Sequence, residues 1–144
     1  MLFQRINRTD AETVFTIVYN ISAATVTAGY PVVWDITSPD GVSVSKPATA
    51  TLSCLVGIAT SDIANSAYGK VQVYGYKASA YVTNNVTTAI AAGNILIPVD
   101  AAWTLAYGAA SDGKSGLVYA AESFATATTT LLAAANKKVF IRCL

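Results

Sequence analysis

Histidine is absent from this 144-residue chain. Its absence removes the usual proton carrier near neutral pH, the commonest metal ligand, and nucleophile activation of the Ser-His-Asp or Cys-His kind. Cysteine is scarce. Cys54 and Cys143 lie far apart, and two thiols without histidine do not supply the four ligands of a structural zinc site. Charge is scarce too, with nine basic and eight acidic side chains, or 12% of the chain, against about 25% in ordinary globular proteins. The basic residues are scattered, and Lys137-Lys138 is their one adjacent pair. No basic face or stripe is present of the kind that nucleic acid requires. Long apolar runs are also missing. The charge-free stretches 13–34 and 78–99 are interrupted by Asn, Gly, Pro or Thr, so neither offers about 20 consecutive apolar residues for a membrane helix. Met1-Leu2-Phe3-Gln4-Arg5 leads into no apolar signal-peptide core, which points to synthesis in the cytoplasm.

What is present is apolar and small. Hydrophobic residues make up 53% of the chain and the mean hydropathy is +0.47. Seventeen charges are too few to cover the exterior of a 14.9 kDa globule at normal density, so much of that exterior is Thr, Ser, Ala and Tyr. Such a surface loses little ionic hydration on contact. Burying it against a partner gains about 25 cal/mol per Å² of apolar area. The length suits one domain.

The pattern along the chain is that of short strands. Thr13–Tyr19 is rich in β-branched and aromatic residues. Pro31–Thr37 follows, ending at Ser38-Pro39-Asp40-Gly41, a turn in which Pro presets φ and Asp bonds its own backbone. Val42–Val44 alternates, Thr49–Ala59 reads as a buried strand, and Gly69–Tyr76 has the clearest period of two. Ala78–Thr83 is placed to pair with it. Further strand runs lie at Ala24–Ala28, Val86–Ala91, Ile95–Val99, Trp103–Tyr107, Leu117–Ala121 and Lys138–Leu144. Strands at this spacing predict a mainly β fold, a single compact sandwich or barrel spanning residues 13–144. The segment 124–136 is Ala- and Leu-rich and predicts a short helix or an ordered loop. Residues 1–12 hold Arg5, Arg8, Asp10 and Glu12, and Thr9–Glu12 matches a capping box. No helical pattern follows it, so these residues read as an N-terminal arm.

An internal echo is visible. Gly57-Ile58-Ala59, Asp62-Ile63-Ala64 and Lys70-Val71 recur as Gly116-Leu117-Val118, Glu122-Ser123-Phe124-Ala125 and Lys138-Val139. It marks two similar halves of one barrel, or it arises by chance.

Candidates for chemistry are few. Asp35 and Asp40 form a strand-and-turn pair; they either flank a substrate as glycosidase carboxylates do or simply end a strand and make a turn. No glycine-rich phosphate loop is present, and no metal or cofactor is expected. Cys54 and Cys143 lie in apolar runs and read as buried small hydrophobes, with a late disulfide as the alternative. Among eight tyrosines, Tyr74 and Tyr76 share one face of the Gly69–Tyr76 strand. They serve either cross-strand packing or a contact surface for sugar or protein.

The segment 57–76, with its Gly-Ile-Ala, Asp-Ile-Ala and Gly69-x-Val71-x-Val73-x-Gly75 pieces, resembles the head decoration, or cement, proteins of tailed bacteriophages. A second such segment at 115–122 precedes the last strand. The resemblance covers roughly residues 50–144. It implies a non-enzymatic β-rich protein on the outside of an assembled capsid, bound to the major capsid protein, self-associated as a homo-oligomer and most often a trimer, with no nucleic acid or membrane as partner. On that reading Phe3, Arg5, Ile6, Arg8, Asp10 and Glu12 of the arm, together with Tyr74 and Tyr76, are the expected interface. Two other readings remain beside it: another virion subunit, such as a tail-tube or head–tail connector protein, and a glycan- or receptor-binding β-sandwich.

Overall fold

β-Branched and aromatic residues in alternation form strands wherever one face can be buried. The computed structural model describes residues 11–84, 88–108, 117–125 and 134–144. Among these, nine strands form one mixed sheet. They are β1 (Val14–Asn20), β2 (Pro31–Trp34), β3 (Ser43–Ser45), β4 (Leu55–Ala59), β5 (Tyr68–Thr83), β6 (Ile95–Pro98), β7 (Leu105–Tyr107), β8 (Val118–Ala120) and β9 (Ala134–Arg142). The one helical element among the described residues is a single 3-10 turn, Thr49–Thr51.

The mainly β expectation therefore holds, with four local corrections. Thr49–Ala59 is not one strand: its first three residues form the 3-10 turn and pairing begins at Leu55. Gly69–Tyr76 and Ala78–Thr83 do not fold back on each other but join in the sixteen-residue β5. The run Ala24–Ala28 contributes only an isolated bridge, Val26 to Ile63. In the segment 124–136, expected as a short helix or an ordered loop, Phe124 bridges to Ile90 and Ala134–Asn136 already belong to β9. Residues 126–133 lie outside the described residues.

The pairings close on themselves twice. β1 runs parallel to β3, β3 pairs antiparallel with β2, β2 with β4, β4 with β5, and β5 with β1. The same sequence of pairings then recurs: β5 parallel to β7, then β7 with β6, β6 with β8, β8 with β9, and β9 with β5, all antiparallel. The long β5 is the last strand of the first circuit and the first strand of the second.

Individual hydrogen bonds repeat with the topology. Gly29 N donates to Ala59 O at 2.9 Å, and Gly93 N to Ala120 O at 2.8 Å. Ala59 N returns a bond to Tyr30 O, and Ala120 N to Asn94 O, both at 2.9 Å. Thr60 N reaches Lys70 O, as Ala121 N reaches Lys138 O. The isolated bridge Val26–Ile63 has its counterpart in Ile90–Phe124. The echo in the sequence is thus a structural duplication. Its later pieces, Ile63 with Phe124 and Lys70 with Lys138, are in register. Its first piece is offset, because the ladders make Gly57, opposite Val32, the counterpart of Val118, opposite Leu96, rather than of Gly116.

Each circuit encloses its own core. In the first, Val18, Val26, Val32, Val44, Val71 and Val73 are buried together. Their counterparts in the second are Ala80, Ile90, Leu96, Leu105, Val139 and Ile141. Four of the six counterparts are larger, while the first circuit is narrowed by valines. Leu55 and Ile58 of β4 join the second core, so β4 has apolar residues on both of its faces.

Two glycines of the 57–76 segment are required by close backbone approach. A Cβ on Gly57 would run into the carbonyl oxygen of Gln72 on β5. Gly75, at φ +100°, is overlain by the carbonyl of Glu12, where the chain enters β1.

Candidate interaction surface

Four carboxylates accept hydrogen bonds from backbone amides, three of them in turns. Asp35 accepts hydrogen bonds from the amides of Thr37 and Ser38 at 3.2 and 3.0 Å. Asp40 accepts from the Ser43 hydroxyl at 2.6 Å and from the amides of Ser43 and Val42 at 2.7 and 2.9 Å. Those donors favour the ionised form and hold its carboxyl down to about 2. Asp62 accepts from Ala28 N at 2.8 Å, and Glu122 from Lys138 N at 2.8 Å. Of the two readings of Asp35 and Asp40, the geometry supports strand end and turn. Among the described residues no group of three or more His, Cys, Asp or Glu gathers to hold a metal ion, and no helix is long and apolar enough to cross a membrane.

What the fold does display is an apolar face. β1 turns Val18 and Asn20 inward, which puts Phe15, Ile17 and Tyr19 outward. The antiparallel register sets Ile17 opposite Lys70 and Tyr19 opposite Tyr68 on β5. Phe15 is 43% exposed, Ile17 58% and Tyr68 68%. The Tyr19 and Tyr68 rings lie 4.9 Å apart and tilted, and the Lys70 ammonium sits 4.6 Å from the centre of the Phe15 ring. Aromatic pairs of this kind contribute about 0.5–1.5 kcal/mol beyond their burial. Lys70 is the one charged residue among these five, so the face loses little ionic hydration when covered.

The residues expected at an interface are distributed otherwise. Phe3, Arg5, Ile6, Arg8 and Asp10 lie outside the described residues. Glu12 is exposed at the lead into β1. Tyr74 is half-buried, its ring edge-on to Phe140 at 5.6 Å, and Tyr76 pairs directly with Phe140 across the ladder. The shared face of Tyr74 and Tyr76 is thus in part a cross-strand aromatic contact. The capping-box reading of Thr9–Glu12 falls largely outside the described residues. Phe15, Ile17 and Tyr19 were not singled out from the sequence, although their odd positions in Thr13–Tyr19 carry the signal.

The cysteines depart from expectation. Neither is fully buried, and both are free. Cys54 precedes β4 next to the 3-10 turn. Cys143 packs against the edges of both cores, and burial pushes its thiol up to about 12. Asn20, which reads as a breaker, is wholly buried. Its side-chain amide donates to Ala24 O at 2.8 Å and Ile63 O at 2.9 Å, and its carbonyl oxygen accepts from Ser22 N at 2.9 Å.

Fold and surface together define a mainly β protein with duplicated topology and an apolar outward face. No protein-family model matches the chain, and no curated protein matches it. Among solved structures the chain is similar to the head fiber gp8.5 N base of bacteriophage phi29, at 16% identity over 88% of this chain and 94% of that one, with a TM-score of 0.47.

Proposed function

We propose that this chain is a non-enzymatic structural subunit of a phage virion, one that binds the outside of the assembled head and stabilises it as a decoration protein. The observation that carries this reading is the outward face of β1 and β5. Phe15, Ile17 and Tyr68 are left to solvent beside a single lysine, and an apolar face of this kind fits partner contact. Of the carboxylates described above, Asp35, Asp40 and Asp62 accept from turn amides and Glu122 from the Lys138 amide of β9, a structural use of all four. Residues 1–12 act as an arm that adds contacts at a neighbour. A ligand that binds only the assembled shell stabilises it by mass action.

A second reading, a tail-tube or head–tail connector subunit, is favoured by the duplication. The two circuits share a topology but differ in side chains at matching positions, and unlike surfaces joined head to tail generate rings or stacks. Antibody labelling of intact particles in the electron microscope separates the two. Label spread over the head surface supports decoration, label confined to the portal vertex or tail supports the second reading, and label on neither removes both.

A further inference from the structure

One turn occurs twice in the fold, and the chain uses its two copies differently. In the first circuit Gly29 N donates to Ala59 O, Ala59 N to Tyr30 O and Tyr30 N to Thr27 O, at 2.9, 2.9 and 3.0 Å. In the second, Gly93 N donates to Ala120 O, Ala120 N to Asn94 O and Asn94 N to Ala91 O, at 2.8, 2.9 and 3.1 Å. The glycines match as well, at φ +92° and +89°. These bonds fix each turn to its own circuit. A Cβ on Gly93 would meet nothing among the described residues, whereas one on Gly29 would lie 3.4 Å from Ser79 O and from Asn136 Oδ1, both in the second circuit.

The Gly29–Tyr30 turn also takes a bond that the duplication assigns elsewhere. In the first circuit Tyr19 N donates to Val42 O at 2.8 Å, and β1 pairs with β3 through Tyr19 with Ser43 and Asn20 with Val44. The counterparts of Tyr19 and Val42 are Tyr81 and Trp103. Tyr81 N donates instead to Gly29 O at 2.9 Å, and among the described residues β5 and β7 retain only the Val82–Leu105 pair. β5 is shaped for this. From Lys77 to Ala80 it advances three residues while β9 advances two, and the corresponding stretch of β1, Thr16 to Val18, has no such extra residue. Trp103 stacks on the Tyr30 ring, 5.5 Å between centres and 15° apart, and Tyr30 packs on Tyr81 at 5.4 Å. A second tie from the first circuit, Ala101 N to Pro47 O at 3.0 Å, holds the same loop, with Ala101 in the left-handed region at φ +54°.

We infer that Gly29–Tyr30 is a latch by which the first circuit sets the conformation of the second, at the β5 bulge and at the entry to β7. The latch is held rigidly on its own side and engages the other side through one carbonyl and one ring. Its duplicate carries Asn94 where that ring would be. The inference concerns the chain by itself, and it stands or falls separately from attachment to a capsid.

Trp34→Phe leaves Trp103 as the one indole that reports on the latch. In that background Tyr30→Ala is expected to shift the Trp103 emission. It is also expected to speed hydrogen exchange at the Tyr81 amide about tenfold, because two ring contacts that oppose local opening are lost. The change is expected to reach the Leu105–Tyr107 amides of β7 as altered chemical shifts. The Ala59 amide, which bonds Tyr30 O inside the first circuit, is expected to keep its rate. Tyr30→Phe, which retains the ring, is expected to leave every one of these readings in place. Trp103→Ala removes the stack from the opposite side and is expected to speed Tyr81 exchange as well, which keeps the inference testable should Tyr30→Ala fail to fold. An unchanged Tyr81 rate in either folded variant overturns the inference. So does equal acceleration of Ala59 and Tyr81, which would make Tyr30 a general stability residue and not a latch.

Discussion

Asn20 and Val82 occupy the same place in the two circuits. Each faces inward near the end of the first strand of its circuit, and each pairs in parallel with a buried residue of the third, Val44 or Leu105. One is a fully buried amide and the other a hydrocarbon in a core. The difference follows from what must be held. Asn20 ties the loop after β1 to the strand-like segment at Ile63, where the backbone alone leaves the Ala24 carbonyl and the Ser22 amide without these bonds.

Asn20→Val is therefore expected to destabilise the protein although it copies the other circuit. Val26 N also bonds the Ile63 carbonyl, and the Ser22 hydroxyl also bonds the Ala24 carbonyl, so the loss falls chiefly on the Ser22 amide and amounts to about 1–3 kcal/mol. Chemical denaturation checks this. A change below about 0.5 kcal/mol, the usual range of surface substitutions, contradicts it.

Gly57→Ala is expected to cost about 3 kcal/mol or more, since the new methyl meets a backbone carbonyl that cannot retreat without breaking the β4–β5 ladder. Gly41, with φ +74° and open space around it, is the comparison. Gly41→Ala carries only the backbone penalty of about 1–2 kcal/mol. Thermal melts that rank the two in the opposite order contradict the close approach.

The thiols are expected to react at different rates in the native protein, Cys143 slowly and Cys54 faster. The thiolate is the reacting species, and burial raises the Cys143 thiol to about 12. The same shift has a consequence for stability. A folded-state value above the ordinary one contributes stability below about pH 9 that is lost as pH rises toward 12. Cys143→Ser is expected to lessen the alkaline decline, which unfolding curves across that range measure.

Asp40 behaves in the opposite sense. Its folded-state value lies below the ordinary 3.8, so its contribution is present above about pH 4 and fades as pH falls toward 2. Carboxyl carbon chemical shifts followed through acid titration test this directly. A midpoint near 3.8 in the folded protein means that the Ser43 and Val42 donors do not hold the ionised form.

Strand existence was legible in the sequence because alternation is a local signal. Val14–Asn20 and Pro31–Trp34 followed from β-branched and aromatic residues between turn residues. Strand ends and partners were not legible. Whether Tyr76 and Ala78 turn back or continue depends on β9, which pairs with β5 from Tyr74 to Thr83 and lies more than fifty residues away in sequence. Thr49–Thr51 is apolar enough for a strand, yet the Thr51 hydroxyl and the Ala48 backbone bond each other and wind it into a turn. The duplication showed only faintly, since the halves share hydrogen bonds and core positions rather than residue types: Gln72 corresponds to Phe140 and Ile58 to Tyr119. For the interaction surface, the sequence pointed to the tyrosines and the arm. Alternation in Thr13–Tyr19 groups Phe15, Ile17 and Tyr19 on one face, but that this face is the outward one follows only from the burial of Val18 and Asn20 in the fold.

The most direct test of the proposed role is to add the purified full-length protein to phage heads that lack it. Occupancy and the melting temperature of the shell are followed as protein and salt are varied. Saturable occupancy with a raised melting temperature is predicted, changed little by moderate salt because screening weakens ionic contacts and leaves apolar ones intact. The Ile17→Lys protein is predicted to remain folded and to bind more weakly. Absence of binding by the full-length protein, or binding that salt abolishes, would contradict the account.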